Sequence, residues 1–123
     1  MSNHRGQRAF IVEDETLVLF NLEDILSELG CVVVGQAMRL SDAVQLAGKT
    51  EAVDFALLDV NLRGEQVFPV AELLHARGIP IIFATGYGAG GLPDAWREHP
   101  VIVKPYTLQD VETALDKLVM AAP

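Results

Sequence analysis

Three carboxylates, a hydroxyl and an ammonium stand out in this sequence because each sits at the end of a short apolar run. Glu13 and Asp14 follow Ala9-Phe10-Ile11-Val12, and Asp59 closes Phe55-Ala56-Leu57-Leu58. Thr85 follows Ile81-Ile82-Phe83-Ala84, and Lys104 follows Val101-Ile102-Val103. Carboxylates brought together repel one another and hold raised pKa values unless a cation neutralises them. An all-oxygen donor set with an open face suits a hard divalent ion, magnesium above all, with manganese as a substitute. Zinc does not fit, because no His/Cys set has ligand spacing. His4, His75 and His99 are scattered and read as surface or helix-packing residues.

Those five positions meet only if the chain folds as alternating strands and helices. After the first run, Val18, Leu22, Ile25, Leu26 and Leu29 recur at three- and four-residue steps, predicting a helix from Thr16 to Leu29 with Gly30 just past its end. Val32-Val33-Val34 reads as the second strand. Ser41 then reads as the N-cap of a short helix carrying Ala43, Val44 and Ala47 and closed by Gly48. The third strand is Phe55–Asp59. A turn around Gly64 leads to a helix with Val67, Val70, Ala71 and Leu74 inward, ended by Gly78. The fourth and fifth strands are Ile81–Ala84 and Val101–Val103. The last helix follows Pro105, with Thr107 and Asp110 as a capping box and Leu108, Val111, Ala114, Leu115 and Leu118 on its apolar face.

The strands are apolar throughout, as in a parallel sheet covered on both faces. Five of them alternating with helices predict a doubly wound five-stranded α/β domain. In such a sheet ligands bind outside the carboxyl ends of the strands, where the five chemical positions lie. Gly86-Tyr87-Gly88-Ala89-Gly90-Gly91 interrupts the pattern where a fourth helix would start. Each interior glycine costs a helix about 1 kcal/mol relative to alanine. The expected fourth helix is therefore short, late or mobile, beginning no earlier than Pro93 or Asp94.

The 123 residues suffice for one domain, expected over 8–121, with a disordered 1–7 ahead of it and no output domain behind it. Hydrophobic residues make up 50% and charged residues 21%, a globular composition. Nine basic against 17 acidic residues, net −8, leave no basic stripe for nucleic acid or acidic lipid. No run suits a membrane span or a secretory signal. One cysteine, Cys31, cannot form an internal disulfide, which suits a reducing cytoplasm, and a cytoplasmic monomer is expected. Glu15 reads as a first-turn acid, and Trp96 as a packing residue.

The set Glu13-Asp14, Asp59, Thr85 and Lys104-Pro105 resembles the response-regulator receiver domain of two-component signalling, a flavodoxin-like, CheY-like (βα)5 fold, over nearly the whole chain. The resemblance implies that Asp59 takes a phosphoryl group from a phosphohistidine on a histidine kinase or phosphotransfer protein. Asp14, Asp59 and the backbone carbonyl of Asn61 would ligate magnesium, and Glu13 would act mainly through bound water. Lys104 would pair with Asp59 and then with a phosphoryl oxygen, Thr85 would donate its hydroxyl, and Gly86 would leave room beside a backbone N–H. Phe83-Ala84-Thr85-Gly86-Tyr87, with Asp59–Glu65 and Lys104-Pro105-Tyr106, is similar to the "FAT GUY" subfamily, which implies kinases of the HWE and HisKA2 types.

The sequence departs from the family at Val101, where most receivers carry a switch aromatic three residues before the lysine. Tyr87 and Tyr106 are candidate substitutes, though neither occupies that position. Ordering of the glycine-rich segment is the expected alternative output, and Tyr87 and Asn61 are expected to tune the acyl phosphate's lifetime. The resemblance implies a signalling protein rather than an enzyme, acting as relay, reporter or phosphate sink. A magnesium-dependent phosphohydrolase of the haloacid-dehalogenase type wants a second Asp where Asn61 stands. A nucleotide-binding flavodoxin-like module wants a Gly-x-Gly-x-x-Gly after the first strand, where acids stand instead. A phosphorylation-independent adaptor has no need of the intact acid, threonine and lysine set.

Overall fold

The computed structural model describes residues 4–86 and 92–121. Five strands, β1 (Arg8–Val12), β2 (Val32–Ala37), β3 (Phe55–Asp59), β6 (Ile81–Thr85) and β7 (Val101–Val103), form one parallel sheet in the order β2-β1-β3-β6-β7. Between β3 and β6 a two-residue turn joins β4 (Asn61–Leu62) to β5 (Glu65–Gln66) in an antiparallel hairpin. The helices are α1 (Thr16–Glu28), α2 (Leu40–Lys49), α3 (Phe68–Ala76) and α4 (Leu108–Ala121).

The apolar strands split by alternation into two cores. Ala9, Ile11, Phe55, Leu57, Ile82 and Ala84 face α1 and α4, while Phe10, Val12, Ala56, Leu58, Ile81 and Phe83 face α2 and α3. Phe10, Phe55, Phe83 and Ile11 are among the largest fully buried side chains. Each such side chain contributes about 1.5–3 kcal/mol on burial. From β1 the chain winds outward to β2, then crosses to β3 on the other side of β1. That reversal leaves a crevice at the carboxyl ends of β1 and β3.

Local signals set the ends of these elements. Gly30 (φ +83) lets the chain turn left-handed after α1, so that Gly30 N–H bonds Ser27 O at 3.0 Å and Cys31 N–H bonds Leu26 O at 2.9 Å. The same pair of bonds closes α3, from Gly78 to His75 and from Ile79 to Leu74. The capping box of α4 forms as expected: Thr107 N–H donates to Asp110 Oδ2 (2.9 Å) and Asp110 N–H to Thr107 Oγ1 (3.2 Å).

Several expectations need correction. Ser41 is not the cap of α2, which starts at Leu40 after an extended Arg39 and makes no side-chain cap bond. Gly48 lies inside that helix, and the hydroxyl of Thr50 ends it by donating to Leu46 O at 2.8 Å. Residues 4–7 are not a loose tail. His4 is 1% exposed and hydrogen-bonds Gln7 Oε1 (3.0 Å) and Asp116 Oδ1 (2.7 Å), and Gly6 N–H bonds Gly30 O at 2.7 Å. A polar segment gains order here by satisfying hydrogen bonds within itself, with Gly30 after α1 and with Asp116 on α4.

Between β6 and β7 the described residues hold one 3-10 turn, Asp94–Trp96, and no α-helix. Residues 87–91, with Tyr87 and the expected mobility of the glycine-rich stretch, lie outside the described residues. Trp96 stacks on Phe68 (centroids 6.1 Å, 21° between planes) and meets Phe83 edge-on at 5.7 Å. His75 and His99, scattered in sequence, converge on this group with ring centroids 5.9 Å apart. No helix among the described residues is long and apolar enough to cross a membrane.

Candidate functional site

The crevice collects the strand-end residues. Glu13, Asp14 and Asp59 each place a carboxylate oxygen within 4.8 Å of the others. Glu13 and Asp59 are buried, at 1% and 3% exposure, and Asp14 is half-buried at the mouth. Lys104, carried in by β7, sets its Nζ 3.0 Å from Asp59 Oδ2 and 3.3 Å from Glu13. The peptide bond from Lys104 to Pro105 is cis.

Backbone amides hold the acids in place. Glu15 N–H donates to Glu13 Oε2 at 3.0 Å, and Arg63 N–H to Asp14 Oδ2 at 3.0 Å. A long contact of 3.4 Å runs from Asn61 N–H to Asp59 Oδ1. The Asn61 side chain accepts from Gly64 N–H at 2.7 Å, which fixes the hairpin turn beside the crevice.

Burial, followed by the charge of Asp59, raises the Glu13 carboxyl to about 8. Burial also raises Asp59, against the opposing pull of Lys104. Burial works against the charge on Lys104, but its hydrogen bond and attraction to Asp59 and Glu13 win, so its pKa is raised. One ammonium therefore does not satisfy the two buried acids. A further cation would, and an all-oxygen donor set around an open mouth fits magnesium or manganese.

Two adjoining hollows flank Asp59. One, of about 390 Å³, is lined by Asp14, Glu15, Asn61, Arg63, Gly86 and Lys104 among others. The second, of about 300 Å³, reaches Thr85, Val60 and Gln66. Thr85 is 5% exposed at the end of β6. A Cβ added at Gly86 would meet nothing within 4 Å, so the space beside that residue is open. The site thus offers a buried carboxylate, a fixed ammonium, an adjacent hydroxyl and room for a small anion over a cation-binding set, the components of phosphoryl transfer to a side chain.

Expected site residues outside this group fall in two places. Val101 is half-buried and packs in the core under α2 and α3, the one that holds Phe83 and Trp96. Tyr106 lies in the opposite core and is 5% exposed. Arg63 and Glu15 also line the crevice, and neither was expected there. Glu15 precedes α1 instead of standing in its first turn, and its carboxylate reaches Lys104 at 3.7 Å. The acidic triplet and the Arg-Gly pair in which they stand were the available signals.

Comparison with known proteins agrees with this geometry. A family model described as the response regulator receiver domain matches residues 9–116. SdrG from Sphingomonas melonis Fr1, a solved structure, is 42% identical and superposes with a TM-score of 0.81, covering 97% of this chain and 99% of that one. The phyllosphere-induced regulator PhyR of Methylorubrum extorquens is 30% identical over 111 residues, 87% of this chain and 41% of its own. The transcriptional regulatory protein PdtaR of Mycobacterium tuberculosis is 29% identical over 114 residues, 89% of this chain and 55% of its own. The chain spans about half the length of these curated relatives. Sheet order, strand-end chemistry and the match over 9–116 converge: the chain belongs to the response regulator receiver domain family.

Proposed function

We propose that this chain is a phosphoacceptor switch of a two-component phosphorelay, in which Asp59 receives a phosphoryl group from a phosphohistidine. The observation that carries the reading is the Asp59 carboxylate, held 3.0 Å from Lys104 at the join of the two hollows. Asp59 supplies the attacking oxygen. Lys104 neutralises it beforehand and can follow the arriving charge. Thr85 and the open space at Gly86 border the hollow in which phosphoryl oxygens would rest. Glu13, Asp14, Asp59 and the Asn61 carbonyl would hold magnesium, which supplies charge neutralisation for the transferred group.

The donor in this reading is a histidine kinase or phosphotransfer protein, and the motif Phe83-Ala84-Thr85-Gly86-Tyr87 supports a kinship with the "FAT GUY" regulators and their HWE or HisKA2 kinases. SdrG has also been solved in a BeF3-activated conformation, a structure 41% identical to this chain with a TM-score of 0.77. The protein acts as a signalling element, not a turnover enzyme. Its output does not pass through a ring at position 101, because Val101 is there.

The test is phosphorylation by acetyl phosphate or a phosphohistidine donor, with and without magnesium. Labelling of wild type that requires magnesium and vanishes in Asp59→Asn is expected. Labelling that survives in Asp59→Asn, or continuous release of phosphate from an ester substrate, would sink the reading.

A further inference from the structure

Arg63 stands where the backbone suits its side chain poorly. It holds left-handed backbone at φ +54, next to Gly64 at φ +90. The turn is pinned, since the Asn61 side chain accepts from Gly64 N–H at 2.7 Å. Glycine, asparagine and aspartate are the residues favoured at such positions, so an arginine there costs stability. Strained backbone of this kind persists only where the surroundings impose it, and it points to function.

The turn delivers Arg63 to the crevice. Its amide donates to Asp14 Oδ2 at 3.0 Å, and Asp14 has a carboxylate oxygen within 4.8 Å of one on Asp59. Arg63 also lines the same hollow of about 390 Å³ as Asp59 and Lys104. The two cations come from different elements and differ in what they hold. Lys104, at the end of β7, has a side chain only 18% exposed, and its ammonium is spent on Asp59 and Glu13. Arg63 is exposed at the mouth, and its guanidinium makes no hydrogen bond or ion pair among the described residues.

A phosphoryl group on Asp59 would present oxygens to both the inside and the outside of this hollow. Lys104 and Thr85 stand on the buried side. An oxygen turned to solvent has no donor from either of them. The planar guanidinium fork matches phosphoryl oxygens in pairs, and at the mouth it also stands in the way of water. We propose that Arg63 is a further phosphoryl-binding residue, whose guanidinium closes over the solvent-facing oxygens of a loaded Asp59 from the hairpin side. This role rests on the phosphoacceptor reading above and adds to it a contact from outside the strand ends.

The experiment is an NMR titration of the whole chain, first with magnesium alone and then with beryllofluoride in saturating magnesium. Wild type is compared with Arg63→Asn, which suits the backbone and keeps the amide bond to Asp14, and with Arg63→Lys. Arg63→Asn is expected to bind beryllofluoride about fivefold more weakly, the size of one exposed charge-assisted contact. It should bind magnesium at least as tightly as wild type, because a positive charge has left an acidic crevice. Arg63→Lys keeps the charge without the fork and should fall between the two. In about 0.5 M salt the gap between wild type and Arg63→Asn should narrow, since an exposed contact is screened. Equal beryllofluoride affinity in wild type and Arg63→Asn would overturn the proposal. So would a parallel loss of magnesium and beryllofluoride affinity, the mark of a hairpin that only positions Asp14. Failure of the wild type itself to respond to beryllofluoride in magnesium would instead overturn the phosphoacceptor reading.

Discussion

The amide of Arg63 donates a 3.0 Å hydrogen bond to Asp14 Oδ2, tying the β4–β5 hairpin to an acid 49 residues earlier in the chain. Arg63 (φ +54) and Gly64 (φ +90) both adopt left-handed backbone, the pattern of a type I′ hairpin turn. Arginine is strained there, whereas asparagine is favoured. Arg63→Asn should therefore raise stability by about 0.5 kcal/mol while keeping the backbone bond, and Gly64→Ala should lower it by about 1 kcal/mol. Urea midpoints of the two variants, moving in opposite directions, check this.

Lys104 reaches both buried acids with one ammonium. Lys104→Met should cost about 2 kcal/mol near neutral pH, less than a fully buried broken pair because the acids can take up a proton. The loss should shrink as pH falls and the acids neutralise. A pH-independent deficit, measured by urea unfolding at neutral and acidic pH, would show that Lys104 matters through packing instead.

Arg77, just past α3, donates to Ala47 O (2.6 Å) and Thr50 O (2.7 Å), the end of α2. Its planar fork matches two carbonyls at a helix end, where the intrahelical partners have run out. Arg77→Ala should cost about 1 kcal/mol, since water can partly replace it, and Arg77→Lys should recover less than half. Phosphorylation of Asp59 should be unchanged in both, which separates this contact from the site.

Burial, then the neighbouring His75, holds the His99 imidazole below its ordinary value. A base whose folded pKa is depressed binds protons more readily when unfolded. Its contribution to stability is therefore complete above the ordinary imidazole pKa, and is lost as pH falls through the lowered folded value. Trp96, the only tryptophan, has its ring centroid 5.3 Å from that of His99. Its fluorescence should change over the same acidic range, and His99→Gln should flatten both the fluorescence and the stability profile.

The sequence shows most clearly what short apolar runs and strand-end chemistry encode. β3 runs over Phe55–Asp59 as read, and the parallel-sheet rule is enough to make five separated residues neighbours. What it hides is contact made across elements by residues with no periodic signature. His75 and His99 meet where Trp96 seats the 3-10 turn on α3. Leu19 is buried although Leu17 and Phe20, its neighbours in an equally apolar stretch, are 82% and 56% exposed. Composition alone could not choose between them. Ser41 carried the side chain of a cap without the backbone position, and the polar 4–7 segment looked like a tail because hydrogen-bond satisfaction leaves no hydrophobic trace.

The His4–Asp116 bond fastens the first turn of the chain to its last helix. A partner that displaced α4 would have to break that bond or carry residues 4–7 along, and those residues lead directly into β1, the strand that leads into Glu13.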